Sequence, residues 1–447
     1  MILSDTLRAD HLTPALTPQM ARIARQGLLC TAAVSPHIPT QPAHTTLLSG
    51  QDAFAHGVVA HGGAVEPPPD LVWLPALLAE VGVLTCAVDN LGRWFRRGFA
   101  HYAPYTLAAS PDGHWRKADT VLAAAEPVLA ELGRAARART PFFAFFHLWD
   151  PHTPYCPPPP FDRLYYDGDE RRAGLHGLDA LWAFSPFADY FAAWMPGVTD
   201  PRFPRAQYAA CATALDQGIA RLWLKLGSAG CLADTLVILL ADHGECLGEH
   251  GVWFDHHGLY GENMRVPLVL WAPGRVPAGR RYAGPVTLLD LAPTILGAMG
   301  VPVPPAMVGR DLRAIWQGGL SEPGPLYGTE CTWQRKRCWV ADGWKLISAL
   351  EPDFHGGPDL ELYDVTRDPA ETANLVALEP ERARRMAAAL EAHVANRVAD
   401  TGRPDPLRTQ SVVSRRIGPP TAPRPAAQEV SAAERERVSR RLANLGY

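Results

Sequence analysis

The chain has 447 residues, 47% of them hydrophobic and 20% charged, which is enough to bury a large core. A formal charge of -4 offers no footprint for nucleic acid, and the one dense basic run, 93–97, is short. The 8 cysteines stand singly at Cys30, Cys86, Cys156, Cys211, Cys231, Cys246, Cys331 and Cys338, with no C-x-x-C pair, so buried small side chains are expected rather than bridges or a zinc cluster.

Taken in chain order, residues 1–4 read as the stub of a buried strand. Helical periodicity follows over 16–27, and 40–50 is a turn running into a helix. A helix over 71–80 precedes a strand at 83–88, and an alanine- and leucine-rich helix over 122–138 precedes a wholly apolar strand at 142–148. The pattern repeats with a helix over 205–226, a strand at 236–240, a strand at 266–271 and a helix over 288–299. Apolar strands separated by helices predict an α/β fold with a large, mostly parallel sheet covered on both faces. In such sheets chemistry gathers at the carboxyl ends of the strands.

From 326 the texture changes: short strands at 335–338, 344–347 and 360–365 and a helix over 380–398 predict a small α+β subdomain. The expected division is therefore a large α/β domain over 1–325, a C-terminal sheet-and-helix subdomain over 326–400, a Pro-rich linker over 401–430 and a final helix over 431–447. No apolar run approaches ~20 residues and no basic-then-apolar leader precedes Asp5, which predicts a cytoplasmic chain without stable membrane insertion. Met1-Ile2-Leu3 is a short strand to stand ahead of a ligand, and a start codon placed too late would hide a leader.

Three polar pieces stand beside apolar runs or turns: Asp5, Thr40 in Pro39-Thr40-Gln41-Pro42, and Asp242-His243-Gly244-Glu245. Brought together, Asp5, Asp242, His243 and the Thr40 hydroxyl form a mostly oxygen donor set for one divalent ion. Calcium, magnesium or manganese suits such a set, and zinc enters through the histidine. A capped loop is the plain alternative for an isolated Asp-His-Gly. A second metal is not completed by these residues.

Thr40 would stand at the start of a Pro-containing helix, whose free N–H groups favour an anionic group. A metal touching the Thr40 oxygen would favour its alkoxide, so Thr40 is the candidate nucleophile, with turn-capping or direct attack by activated water as alternatives. Ten of the 16 histidines, among them His37, His44, His56, His61, His147, His250 and His256, lie in or beside polar turns. His152, His257 and His44 are the candidates to bind the anion or aid the leaving group, whereas His147, inside a strand, reads as a core group. The aromatic stretch 181–194 reads as helical packing, with a pocket wall as the alternative.

These pieces resemble the sulfatase family of the alkaline phosphatase superfamily. Ser4-Asp5-Thr6-Leu7-Arg8-Ala9-Asp10-His11 is similar to its opening metal motif, and Thr40-Gln41-Pro42-Ala43-His44 lies where the family has Cys-or-Ser-x-Pro-x-Arg. Residues 146–155, 241–250, 256–267, 290–294, 361–375 and 442–447 resemble later landmarks. The resemblance implies metal ligands at Asp5, Asp242 and His243, Thr40 in the nucleophile position, and His152 near the transferring group. The family oxidises its Cys or Ser to formylglycine. Threonine is not a substrate for that conversion, so no formylglycine is expected. Thr6 stands for the usual second aspartate, His44 for the arginine, His61 for the asparagine and His257 for the lysine.

The expected function is metal-dependent hydrolysis of small anionic esters, phosphate, phosphonate or sulfate, through Thr40. An ordinary sulfuric ester hydrolase and a non-catalytic or transferase descendant are the alternatives. The expected partner is a small anionic ester, with no nucleic acid, and self-association stays open.

Overall fold

A computed structural model describes residues 1–409 apart from 63–64, 318, 321–322 and 354, together with Glu436. Its centre is an eight-stranded sheet in the order Arg280–Tyr282, Leu28–Cys30, Leu268–Trp271, Val237–Ala241, Ile2–Ser4, Phe142–Leu148, Leu84–Val88, His101–Ala103. Leu268–Trp271 runs against both neighbours, and every other pairing in the sheet is parallel. The mostly parallel sheet expected from the sequence is therefore present with one antiparallel insertion. A continuous apolar run carries no record of strand direction, so this reversal could not be read from residues 266–271.

The helices fall into two packed groups. Pro18–Arg25, Lys117–Ala138 and Arg202–Ser228 pack together, and Thr40–Ser49, Leu74–Glu80 and Leu291–Ala298 form the other group. In Lys117–Ala138 the buried side chains Val121, Leu122, Ala125, Val128, Leu129 and Leu132 follow the helical repeat and face the sheet. The first strand is three residues long yet central. Ile2, Leu3 and Ser4 pair with Phe146, His147 and Leu148 on one side and with Leu239, Leu240 and Ala241 on the other. Two-sided pairing lets so short a strand hold its register.

The second sheet has five strands, ordered Leu360–Asp364, Trp344–Ala349, Arg335–Ala341, Leu326–Cys331, His37–Ile38. The last is contributed by the N-terminal part of the chain, pairing parallel with Leu326–Cys331 through Thr329↔His37 and Glu330↔Ile38. The helix Pro380–Thr401 covers this sheet with Ala383, Met386, Leu390 and Val394 against Trp339, Leu346 and Leu362. Just beyond it, where an extended linker is expected, the short helix Pro406–Thr409 tucks Leu407 against Val59, Ala60 and Cys331. The remaining linker and the final helix expected over 431–447 lie outside the described residues, Glu436 apart.

All eight cysteines are free; seven are buried and Cys156 is half-buried. Among the described residues, no helix is long and apolar enough to cross a membrane.

Candidate active site

Register places the chemistry in a row. Val88 pairs with Phe146, Leu3 with His147, and Ser4 with both Leu148 and Ala241. Asp89 is therefore level with His147, and Asp5 with Asp242 two residues further along, so the four gather at the carboxyl ends of four adjacent parallel strands. Opposite them lies the helix Thr40–Ser49, every residue of which is buried. Thr40 is its first residue and His44 follows one turn later, so both face the row. Strand His37–Ile38, held in the second sheet, delivers that helix start.

Asp5, Asp242 and His243 each offer a ligand atom within 4.8 Å of the other two. His243 Nε2 lies 3.7 Å from Asp5 Oδ1, 3.5 Å from Asp242 Oδ2 and 3.2 Å from Thr40 Oγ1. Asp5 Oδ1 and Asp242 Oδ2 are buried with no hydrogen bond among the described residues. The other Asp242 oxygen, Oδ1, accepts from the backbone N–H of Thr6 at 3.2 Å and of His243 at 2.9 Å, which aims Oδ2 inward. His243 Nδ1 is 3.0 Å from the Gly244 carbonyl and donates to it, leaving the lone pair on Nε2. Two orphaned carboxylate oxygens, one imidazole lone pair and a hydroxyl at this spacing fit a divalent cation with bonds of roughly 2.0–2.6 Å.

The backbone around these ligands is specialised. A Cβ at Gly244 would sit 1.9 Å from the Glu262 carbonyl oxygen, so only glycine allows the turn after His243 to approach residues 262–263. Thr6 has φ 56, a left-handed conformation that costs a β-branched residue on the order of 1–3 kcal/mol.

A second group adjoins the first. His44, Asp89 and His147 also bring one ligand atom each within 4.8 Å of one another. His147 reaches Asp89 Oδ1 through Nδ1 at 2.8 Å and Asp5 Oδ2 through Nε2 at 3.2 Å. Burial pulls the His147 pKa down, but its hydrogen bonds to the two carboxylates outweigh that and hold it up at about 9. His44 Nε2 lies 3.4 Å from Asp242 Oδ2, and neither ring nitrogen has a hydrogen bond among the described residues. The sequence reading of His147 as a core group is right about its burial and misses where it points. Asp89 was overlooked, although it follows an apolar strand just as Asp242 does.

His152 Nδ1 donates to the Thr153 carbonyl at 2.8 Å, and burial, only partly countered by Asp5, lowers its pKa to about 3. Its ring lies 5.3 Å from that of His256, which is 4.6 Å from that of His243. His61, buried nearby, is likewise pushed down to about 3 by burial. His256 is pulled down by burial and raised more strongly by Glu245 and Asp255, to about 9. His257 faces Asp255 Oδ2 at 3.1 Å and stacks on His355 at 3.9 Å. His355, which arrives from the C-terminal part of the chain, was not foreseen.

Phe184 and Phe187 stack on His355 in turn, while Phe187, Phe191, Tyr155, Tyr208 and Trp333 form one aromatic cluster. The stretch 181–194 thus packs as a core and also backs the His257 side of the site. His37 and His56 serve elsewhere, bonding Thr329 at 2.8 Å and Thr46 at 3.0 Å, and His250 stacks on Tyr260.

Comparison with known proteins identifies the family. The sulfatase family profile matches residues 1–301, and the profile of the N-sulphoglucosamine sulphohydrolase C-terminal region matches 248–399. The chain is 30% identical over 178 residues to the N-acetylglucosamine-6-O-sulfatase of Bacteroides thetaiotaomicron, covering 38% of this chain and 31% of that protein. It is 30% identical over 193 residues to the multifunctional alkaline phosphatase superfamily protein PehA of Trinickia caryophylli, covering 38% and 37%. The chain spans about a third of the length of these two curated relatives. In fold it is similar to the phosphonate monoester hydrolase of Silicibacter pomeroyi, with a TM-score of 0.70 and 21% identity over 90% of this chain and 95% of that one. With the family profile spanning the whole row of site residues, the chain belongs to the sulfatase family.

Proposed function

We propose that this chain hydrolyses phosphate, phosphonate or sulfate esters, with Thr40 as the nucleophile beside a divalent cation held by Asp5, Asp242 and His243. The observation that carries the reading is the placement of Thr40 Oγ1, at a helix start and 3.2 Å from His243 Nε2, against two buried unpartnered carboxylate oxygens. When bound, the cation supplies positive charge that lowers the pKa of the adjacent hydroxyl.

Thr40 Oγ, having given its proton to solvent, attacks the phosphorus or sulfur, and the ester oxygen leaves and takes up a proton from water. The helix start at Thr40 and the ring of His44 face the anionic group. His257, paired with Asp255, lies at the aromatic side of the site, where an aryl or alkyl leaving group would fit. The resulting threonyl ester cannot collapse to an aldehyde as a formylglycine adduct does, so water must cleave it. His152 suits that step: its Nδ1–H is tied to Thr153 and burial holds the ring neutral, the form that accepts a proton from water. Thr40 is then released unchanged.

The ordinary sulfatase reading keeps one specific support, the family profile itself. Assay of aryl phosphate, bis-aryl phosphate, phosphonate and sulfate esters with added calcium, magnesium, manganese or zinc separates the two readings. No turnover of any ester would favour a non-catalytic or transferase descendant. Thr40→Ala is expected to lose at least about a thousandfold in kcat, and Thr40→Ser to retain part of it. Mass spectrometry of enzyme quenched during turnover is expected to find a phosphoryl adduct on the Thr40 peptide. Near-native rates in Thr40→Ala would show that water attacks directly.

A further inference from the structure

We infer that the chain holds a second divalent cation, on His44, Asp89 and His147, beside the set formed by Asp5, Asp242 and His243. The three side chains come from a helix, a strand end and a strand, and all are essentially inaccessible to solvent. One ligand atom from each lies within 4.8 Å of the others. Two imidazole nitrogens and a carboxylate oxygen form a donor set suited to zinc, with a fourth position left for water or substrate.

Two observations point to a ligand even though His147 hydrogen-bonds both Asp89 and Asp5. First, His44 is wholly buried, yet neither ring nitrogen has a hydrogen bond among the described residues, and its other ring neighbours include Phe95 and Phe145. A buried donor or acceptor left unsatisfied destabilises the fold, and a bound cation would remove that cost. Second, Asp89 and His147 are oriented from outside. Asp89 Oδ2 accepts from Tyr102 Oη and from the Leu91 N–H at 3.1 Å, leaving Oδ1 toward His147 Nδ1. His147 Nε2 stays with Asp5 Oδ2 at 3.2 Å, so its Nδ1 can serve a cation while the other nitrogen ties the two sets together.

The charge balance argues the same way. Among the described residues no lysine or arginine forms an ion pair with Asp5, Asp89 or Asp242, whereas a dianionic ester needs positive charge around it. A second cation would supply that charge and acidify a water for cleavage of the threonyl ester.

The test is stoichiometry. The full chain, stripped with a chelator and dialysed against zinc, is expected to carry two ions per chain by mass spectrometric metal analysis. Asp89→Asn, His44→Gln and Asp242→Asn are each expected to carry one, with circular dichroism confirming that each variant is folded. Should His44→Gln not fold, competitive zinc titration of the unmodified chain, with Asp89→Asn alongside, decides the matter: two binding steps falling to one support the site. One ion in the unmodified chain, or two in folded Asp89→Asn, overturns it. A one-ion result leaves the Thr40 reading standing, whereas near-native rates in Thr40→Ala with two ions bound overturn that reading and leave this one intact.

Discussion

Both sheets bury carboxylates, and they treat them in opposite ways. In the second sheet buried carboxylates are partnered from within: Lys336 meets Asp353 at 2.5 Å and Glu361 at 3.6 Å, Lys345 meets Glu371 at 2.8 Å, and Glu330 accepts from the Thr332 N–H at 2.6 Å and from Gln334 Nε2 at 3.3 Å. Glu361 also accepts from the Tyr260 and Tyr363 hydroxyls at 2.9 and 2.6 Å. At the carboxyl ends of the central strands, Asp5, Asp89 and Asp242 are as deeply buried, and among the described residues their only ion-pair partners are histidines. A buried charge that is fully paired inside the protein has nothing left for a ligand. A buried carboxylate with an orphaned oxygen is unstable by itself, and its missing partner must come from outside. That contrast is what the proposed site rests on, and it can be broken by experiment.

The sharpest break of the contrast is Asp242→Asn. Turnover is expected to fall by more than about a hundredfold with loss of bound metal, while the urea midpoint of the metal-free protein is not lowered. A large loss of metal-free stability would show that Asp242 is structural after all. Lys336→Met should do the reverse. It strands Asp353 and Glu361 in the interior and is expected to cost about 3–5 kcal/mol in urea unfolding, with ligand affinity at the Asp5 set unchanged in the folded fraction. A cost below about 1 kcal/mol would remove the pairing argument for that sheet.

The two regions should also fail at opposite ends of the pH scale. Burial raises Asp353, but Lys336 and His355 outweigh it and hold its carboxyl well below the usual range. A depressed carboxylate stabilises the fold above its unfolded pKa of about 3.9, and that contribution is lost as pH falls further. His147 and His256 are raised to about 9. Their contribution is complete below the unfolded value of about 6.5 and is lost as pH rises through 9. Thermal melts of the metal-free chain are therefore expected to decline on both sides, with Lys336→Met flattening the acid limb alone.

The smallest effect concerns His257, which faces Asp255 at 3.1 Å where the family resemblance places a lysine. With His257 holding the anion, His257→Lys, which supplies a permanent charge, is expected to lower KM for an anionic ester severalfold with kcat little changed. An unchanged KM in the variant would take His257 out of anion binding.

Much of this architecture was legible because it is written locally. The strands at 142–148 and 236–240 and the helix over 122–138 announce themselves by apolar period, and the structure has them at Phe142–Leu148, Val237–Ala241 and Lys117–Ala138. Asp242-His243-Gly244 at a strand end points to a ligand once it is set beside Asp5 and Thr40. His147 reads as a core group from its place inside a strand, and it is buried with both ring nitrogens hydrogen-bonded; only the neighbouring strand ends reveal that its partners are Asp5 and Asp89. His355 and the pairing of His37–Ile38 with Leu326–Cys331 join segments about three hundred residues apart or come from the far sheet, and no local period records them.

What the sequence determined by itself was the inventory: apolar strands, the turns that end them, and the donor atoms those turns carry. Each is a property of a few consecutive residues. Tertiary structure alone decided which donors share a site, because parallel register gathers Asp89, His147, Asp5 and Asp242 at adjacent strand ends and packs the Thr40 helix across them. Register is fixed by the burial of whole strands on both faces, a sum over the core that no single motif contains.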